Sequence, residues 1–168
     1  IVENVIWNGE GVRLQLRGGE ELKAQSVICT LPVGVLKSGA VRFEPALPES
    51  KQRALSQMES GPITKILMQF DTQFWPRWME MAASATGPVN LYWTSFRNMK
   101  GRPAALTGYC IGPRSTALAA ETDDKATEIV MDGLKRMYPN ADPHRALAGI
   151  RFVKWGEDPF AGGGYSYL

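Results

Sequence analysis

The stretch KWGEDPFAGGGYSYL, Lys154 to Leu168, sets three consecutive glycines, Gly162 to Gly164, among aromatic residues. Trp155 and Phe160 precede the run, and Tyr165 and Tyr167 follow it. Two readings of it are open. In one it is a packed turn, with the aromatics as core and the glycines supplying positive φ without a Cβ clash. In the other, the glycines let the backbone approach a flat ligand closely while the aromatics wall it in. Spacing alone does not choose between them.

Working back from this stretch, ALAGIRFVKW (residues 146–155) reads as a strand that leads into it. Before it, TDDKATEIVMDGLKRMYP (residues 122–139) carries the clearest helix signal. Thr122 is placed to cap it, and Asp123 and Asp124 complement the N-terminal dipole. Ala126, Ile129, Val130, Leu134 and Tyr138 form one stripe, Lys135 and Arg136 sit in the last turn, and Pro139 ends it. VNLYWTSF (89–96) and AALTGYCIG (104–112) read as strands joined by the turn RNMKGRP. ITKILMQFD (63–71) alternates: Ile63, Lys65, Leu67 and Gln69 on one face, Thr64, Ile66, Met68 and Phe70 on the other.

Nearer the start, LPESKQRALSQMES (47–60) has helical spacing, with Pro48 and Glu49 suited to a first turn, Ala54, Leu55 and Met58 on one face, and Gly61-Pro62 as its breaker. IVENVIW and VRLQL around NGEG give a hairpin signal. The next strand is expected to become wholly apolar at Val27, Ile28 and Cys29 and enter a buried sheet, ending at Pro32 with Gly34 in a turn. Strands with interspersed helices make a mixed α/β or α+β domain, a mixed sheet with flanking helices.

Bulk properties narrow the function. The chain has 168 residues, 44% of them hydrophobic and 21% charged, an ordinary composition for a globular protein. A net charge of +2 gives no electrostatic footprint for nucleic acid. No apolar run approaches the roughly 20 residues of a membrane segment. Cys29 and Cys110 have no metal spacing and sit in apolar runs, so both are expected as buried free thiols, in keeping with a reducing, cytoplasmic compartment. The chain opens inside a strand-like stretch without an initiator Met and stops on Leu168, as expected for a piece of a larger protein.

The usual catalytic constellations are missing. His144, the only histidine, lies in a polar stretch and reads as a solvated residue. No GxGxxG opens a helix after a strand, and no P-loop or marked carboxylate pair occurs. Lys65 remains, flanked by apolar residues in PITKILMQF. It either points to solvent from an edge strand or is aimed into a buried polar pocket where it has a function.

VICTLPVGVLKSGAVRFEPALPESKQRAL (27–55), GPITKILMQFDTQFWP (61–76) and KWGEDPFAGGGYSYL, in this order, resemble the FAD-dependent amine oxidase family. That family includes monoamine oxidases, polyamine oxidases and lysine-specific histone demethylases. TLPVGVLK and the W-x-x-DPF-x-x-G-x-YSY pattern look closest to the polyamine oxidase and histone demethylase branch. The resemblance implies that residues 1–40 are part of the FAD-binding domain, 41–155 a substrate domain, and 156–168 a segment returning toward the flavin. The family's N-terminal dinucleotide motif and C-terminal FAD segment have no counterpart here.

Carried over by resemblance, Lys65 matches a lysine that contacts flavin N5 through a water. Trp155 matches a tryptophan beside the isoalloxazine, and Tyr165 one wall of an aromatic cage for the amine. Trp93 falls near the substrate cavity, and Val2 matches a valine on the adenine side of FAD. Thr30, Leu31 and Pro32 match a strand end that passes the cofactor, and Phe160 stands where relatives carry Phe or Trp. Gly164 departs from the Ser that relatives often have before the tyrosine. The implied reaction takes a hydride equivalent from an amine to flavin N5, giving an imine that water hydrolyses to an aldehyde, with molecular oxygen reduced to hydrogen peroxide. Neighbouring readings are a related FAD-dependent desaturase or oxidase, or a non-catalytic interaction module with this fold. Strand edges near residues 1–30 are expected to make the chain self-associate.

Overall fold

The computed structural model describes residues 1–7, 9–85, 87–97 and 99–168. The chain forms two compact units, Ile1–Gly61 with Glu157–Leu168, and Pro62–Gly156.

The first unit opens with the hairpin expected from alternation. Strand β1 (Val2–Trp7) pairs antiparallel with β2 (Val12–Leu16), and β2 with β3 (Glu21–Ala24). Asn8, in the hairpin turn, lies outside the described residues. Helix α1 (Val33–Ser38) ends on Gly39 in the left-handed conformation. It is followed by β4 (Arg42–Glu44), which pairs parallel with β1 and completes the order β3-β2-β1-β4. Helix α2 (Glu49–Gln57) leads into β5 (Glu59–Gly61), which pairs antiparallel with the C-terminal strand β11 (Tyr165–Tyr167).

Three expectations for this unit need correction. The strand at 21–24 stops at Ala24, and the apolar run after it enters no sheet: Ile28 is 91% exposed and Cys29 is exposed. The reason is pairing. β3 is an edge strand bonded only to β2, and no strand among the described residues continues the ladder past Ala24. Gly34 lies in the first turn of α1 rather than in a loop. Helix α2 buries no residue; Leu55 and Met58 are half-buried and Ala54 is exposed. It also ends before Gly61-Pro62, at an extended Met58.

The second unit is built on an antiparallel sheet of order β10-β6-β9-β8-β7. Its strands are β6 (Ile63–Phe70), β7 (Met81–Ala83), β8 (Leu91–Ser95), β9 (Ala104–Ile111) and β10 (Leu147–Lys154). Helices α3 (Gly112–Ala119), α4 (Asp123–Met137) and the short α5 (Pro143–Ala146) complete it. Asn98, in the β8–β9 turn, lies outside the described residues.

The α4 signals act as expected. The Thr122 side chain accepts from the Lys125 N–H, and Ala126, Val130, Met131 and Leu134 are fully buried. This stripe forms a core with Ile66, Met68 and Phe70 of β6, Tyr92 of β8 and Leu106 and Cys110 of β9. Each buried large apolar side chain contributes about 1.5–3 kcal/mol. Thr64, on the same side of β6, pairs its hydroxyl with that of Ser115 in α3 at 3.0 Å, so neither buried group is left unbonded. β6 therefore commits its even-numbered side chains to the core and turns the odd-numbered ones to the other face.

Candidate functional site

Lys65 sits in the middle of β6, between β9 and β10. The edge-strand reading of this lysine is thus excluded. Residues directly opposite in an antiparallel sheet share a face, so the register maps the face that Lys65 occupies. One cross-strand row is Val153, Lys65, Tyr109, Leu91 and Ala83. The next is Arg151, Leu67, Thr107, Trp93 and Met81. Trp155 continues the β10 pairing, donating its N–H to the Ile63 carbonyl at 3.0 Å. Period-two alternation from Val153 places it on the Lys65 side. Three residues singled out in the sequence, Lys65, Trp93 and Trp155, are therefore brought to one face, opposite the helices and the core.

Sequence reasoning missed Tyr109. It stands directly across from Lys65, and its ring centroid is 6.0 Å from that of Trp93 at an interplanar angle of 51°. The signal was present in AALTGYCI: alternation puts Thr107 and Tyr109 on one side and Leu106 and Cys110 on the other. Lys65 is half-buried, and its ammonium has no hydrogen-bond or ion-pair partner among the described residues. On the core side of the same strands, burial pushes the Cys110 thiol up to about 11 and the Tyr92 phenol well above its usual range. Both groups stay neutral and structural.

In the first unit, the tail is seated by its glycines. Gly162 (φ +61°) and Gly163 (φ +140°) both have left-handed backbone. A Cβ on Gly162 would stand 2.9 Å from the carbonyl carbon of Gly34, and one on Gly163 would run into the Ser60 side chain. The run thus packs backbone against α1 and β5, where no side chain fits. Asp158 organises the approach: its carboxylate accepts from the Phe160 N–H, and its carbonyl from the Ala161 and Gly162 N–H groups.

The aromatics of this segment are not core. Phe160 is 63% exposed, Tyr165 43% and Tyr167 47%. Tyr165 and Tyr167 lie two positions apart on β11 and both rings rest over Gly61, with ring centroids 6.0 Å apart. Of the other residues named from the sequence, Val2 is half-buried opposite Leu16. Thr30 is exposed, Leu31 is half-buried, and Pro32 starts α1, its carbonyl accepting from Leu36 N–H. His144 lies in α5, exposed, against Asp132 at 3.0 Å.

A flat heteroaromatic cofactor with acceptor nitrogens needs aromatic surface and a donor beside it. The Lys65 face offers both, in the rings of Trp93 and Tyr109 and an unpaired ammonium.

Several sheets with flanking helices make this a mixed α/β structure, and the fold is that of FAD-dependent amine oxidases. A putrescine oxidase structure with putrescine bound superposes with a TM-score of 0.83 over 99% of this chain and 37% of that one, at 18% identity. Cyclohexylamine oxidase from Brevibacterium oxydans IH-35A gives 0.83 over 100% and 37%, at 20% identity. The sequence model of the family described as flavin containing amine oxidoreductase matches residues 1–168, and the chain belongs to that family. Among curated relatives, probable polyamine oxidase 4 of Arabidopsis thaliana is 34% identical over 93% of this chain and 31% of its own length. Lysine-specific histone demethylase 1 homolog 2 of Oryza sativa subsp. japonica is 31% identical over 99% and 22%. The chain spans about a third or less of the length of these relatives. Among the described residues, no helix is long and apolar enough to cross a membrane.

Proposed function

We propose that the chain belongs to a flavoprotein oxidase that converts amines to imines, and that the Lys65 face is its cofactor-facing surface. The observation that carries this reading is the common sheet face of Lys65, Trp93 and Trp155, with Lys65 on an interior strand. FAD, when bound, supplies the acceptor for a hydride equivalent from the amine α-carbon. The remaining work falls to protein side chains. The Lys65 ammonium is a donor able to hold a water, and its charge disfavours a protonated amine nearby, so the amine reacts in its neutral form. Trp93, Tyr109 and Trp155 supply flat apolar surface for a ring. The half-exposed Tyr165 ring offers a π face that attracts the positive end of an amine and excludes water. Val2, Thr30, Leu31, Pro32 and Phe160 are assigned to cofactor contact on the family pattern. The imine is hydrolysed by water to an aldehyde and the released amine, and the two electrons pass to molecular oxygen, giving hydrogen peroxide. The two free thiols, one of them exposed, support a reducing, cytoplasmic setting.

The test is anaerobic mixing of the full-length flavoprotein with a panel of monoamines, polyamines and methyl-lysine peptides. Bleaching of the flavin absorption by at least one amine class, followed by peroxide release on admitting oxygen, is expected. A flavin spectrum indifferent to every amine contradicts the reading.

A further inference from the structure

At the β8–β9 end of the sheet the second unit forms a cleft of about 340 Å³. Its lining includes Gln73, Trp75, Arg77, Arg97, Lys100 and Arg102, and no carboxylate is among the residues that line it. Glu80 pairs with Arg97 and neutralises one of the four cations. Three remain around one space. Like charges gathered in a cleft repel, and an anion between them converts that repulsion into charge-assisted hydrogen bonds.

The backbone around the cleft is held in place. Trp75, one of the lining residues, is 3% exposed. Gln73 fixes the backbone here, donating from its side-chain amide to the Trp75 carbonyl at 3.1 Å. Phe96, the residue after β8, has φ +58°. Non-glycine residues adopt that conformation seldom, and it persists where the surroundings over-determine it. Here the Phe96 ring lies beneath the Arg102 guanidinium, 5.6 Å from centroid to Cζ, and so restrains a long side chain at the cleft.

We propose that this cleft binds the phosphate group of a small molecule, held by Arg77, Lys100 and Arg102. A phosphate monoester dianion matches three unbalanced cations better than a single carboxylate, and guanidinium forks match its oxygens. The cleft borders the same sheet face as Lys65 but lies further along it. Its lining residues Ser95 and Ala105 share a cross-strand row with Gln69, four positions along β6 from Lys65, or about 13 Å at the usual strand rise.

Calorimetric titration of the flavin-loaded full-length protein with inorganic phosphate tests this, with acetate as the control anion. One saturable phosphate site per chain is expected, together with negligible acetate binding. Arg77→Gln/Arg102→Gln, at exposed positions that leave the core intact, is expected to weaken phosphate at least about ten-fold. Absence of saturable phosphate binding, equal binding of acetate, or unchanged affinity in the arginine double variant overturns the proposal.

Discussion

Gly34, in the first turn of α1, and Gly162, in the C-terminal glycine run, meet backbone to backbone. A Cβ on Gly34 would overlap the Gly162 carbonyl and stand 2.7 Å from that of Ala161. The glycines of the tail therefore serve a contact with the protein's own helix. The contact fixes the strand that carries Tyr165 and Tyr167.

Gly34→Ala is accordingly expected to destabilise the first unit by about 1–3 kcal/mol, the usual cost of forcing a methyl into a filled space. It should also raise hydrogen exchange across β11. Gly149→Ala, where nothing lies within 4 Å of the new methyl, is the control and is expected to leave the unfolding midpoint unchanged. Equal midpoints for the two variants would remove the contact from the account.

Much of the second unit was legible because its signals are local. Thr122 followed by Asp123, Asp124 and a periodic stripe specifies α4 whatever surrounds it. The alternation of β6 separates Lys65 from Ile66 without knowledge of its neighbours. What was not legible depends on partners. Val27, Ile28 and Cys29 read as a buried strand because the run is apolar, but burial requires a neighbouring strand, and pairing is not written in the segment. From spacing alone Lys65 reads first as a solvent-facing edge residue, since strand order comes from contacts between β6, β9 and β10 far apart in sequence. Tyr109 was passed over for the same reason: its place opposite Lys65 is set by register. The glycine run leaves two readings open because its packing partner, Gly34, lies more than a hundred residues away and itself reads as a turn residue.

The two cysteines should behave differently. Cys110 is fully buried, its thiol donating to the Pro88 carbonyl at 2.9 Å, whereas Cys29 is exposed. A disulfide reagent is expected to titrate one thiol in the native chain and a second only after unfolding. Burial raises the Cys110 thiol from about 9 to about 11. The unfolded thiol thus ionises first, and the associated stability is full below about pH 9 and lost as pH rises toward 11. Cys110→Ser should show a shallower fall in melting temperature between pH 9 and 10. Identical pH profiles would contradict this.

The 168-residue chain by itself is expected to be colourless and to self-associate. It lacks the glycine-rich turn that binds a dinucleotide pyrophosphate in Rossmann folds. It also exposes Leu22, on the β3 edge, and Val27 and Ile28 just beyond it. Light scattering should report particles larger than 18.5 kDa. A monodisperse monomer at high concentration, or stoichiometric bound flavin, would refute the respective half of this expectation.

Tyr165→Ala in the full-length protein should reduce amine turnover and leave flavin content intact. The ring is 43% exposed, so its removal costs little stability. Loss of a π face worth about 1.4 kcal/mol lowers kcat/KM about ten-fold. A sharp drop in melting temperature with unchanged kcat/KM for the folded enzyme would instead make the ring a packing element.

The central claim is that the sheet face bearing Lys65 is where the chemistry is supported. Stopped-flow comparison of wild type and Lys65→Met in the full-length flavoprotein tests it most directly, by following flavin reduction by amine and reoxidation by oxygen separately. Methionine preserves the length and apolar stem and removes only the ammonium. The account predicts an unchanged melting temperature and flavin content, with at least one of the two rates slowed about ten-fold or more. Wild-type rates for both reactions in Lys65→Met would contradict it.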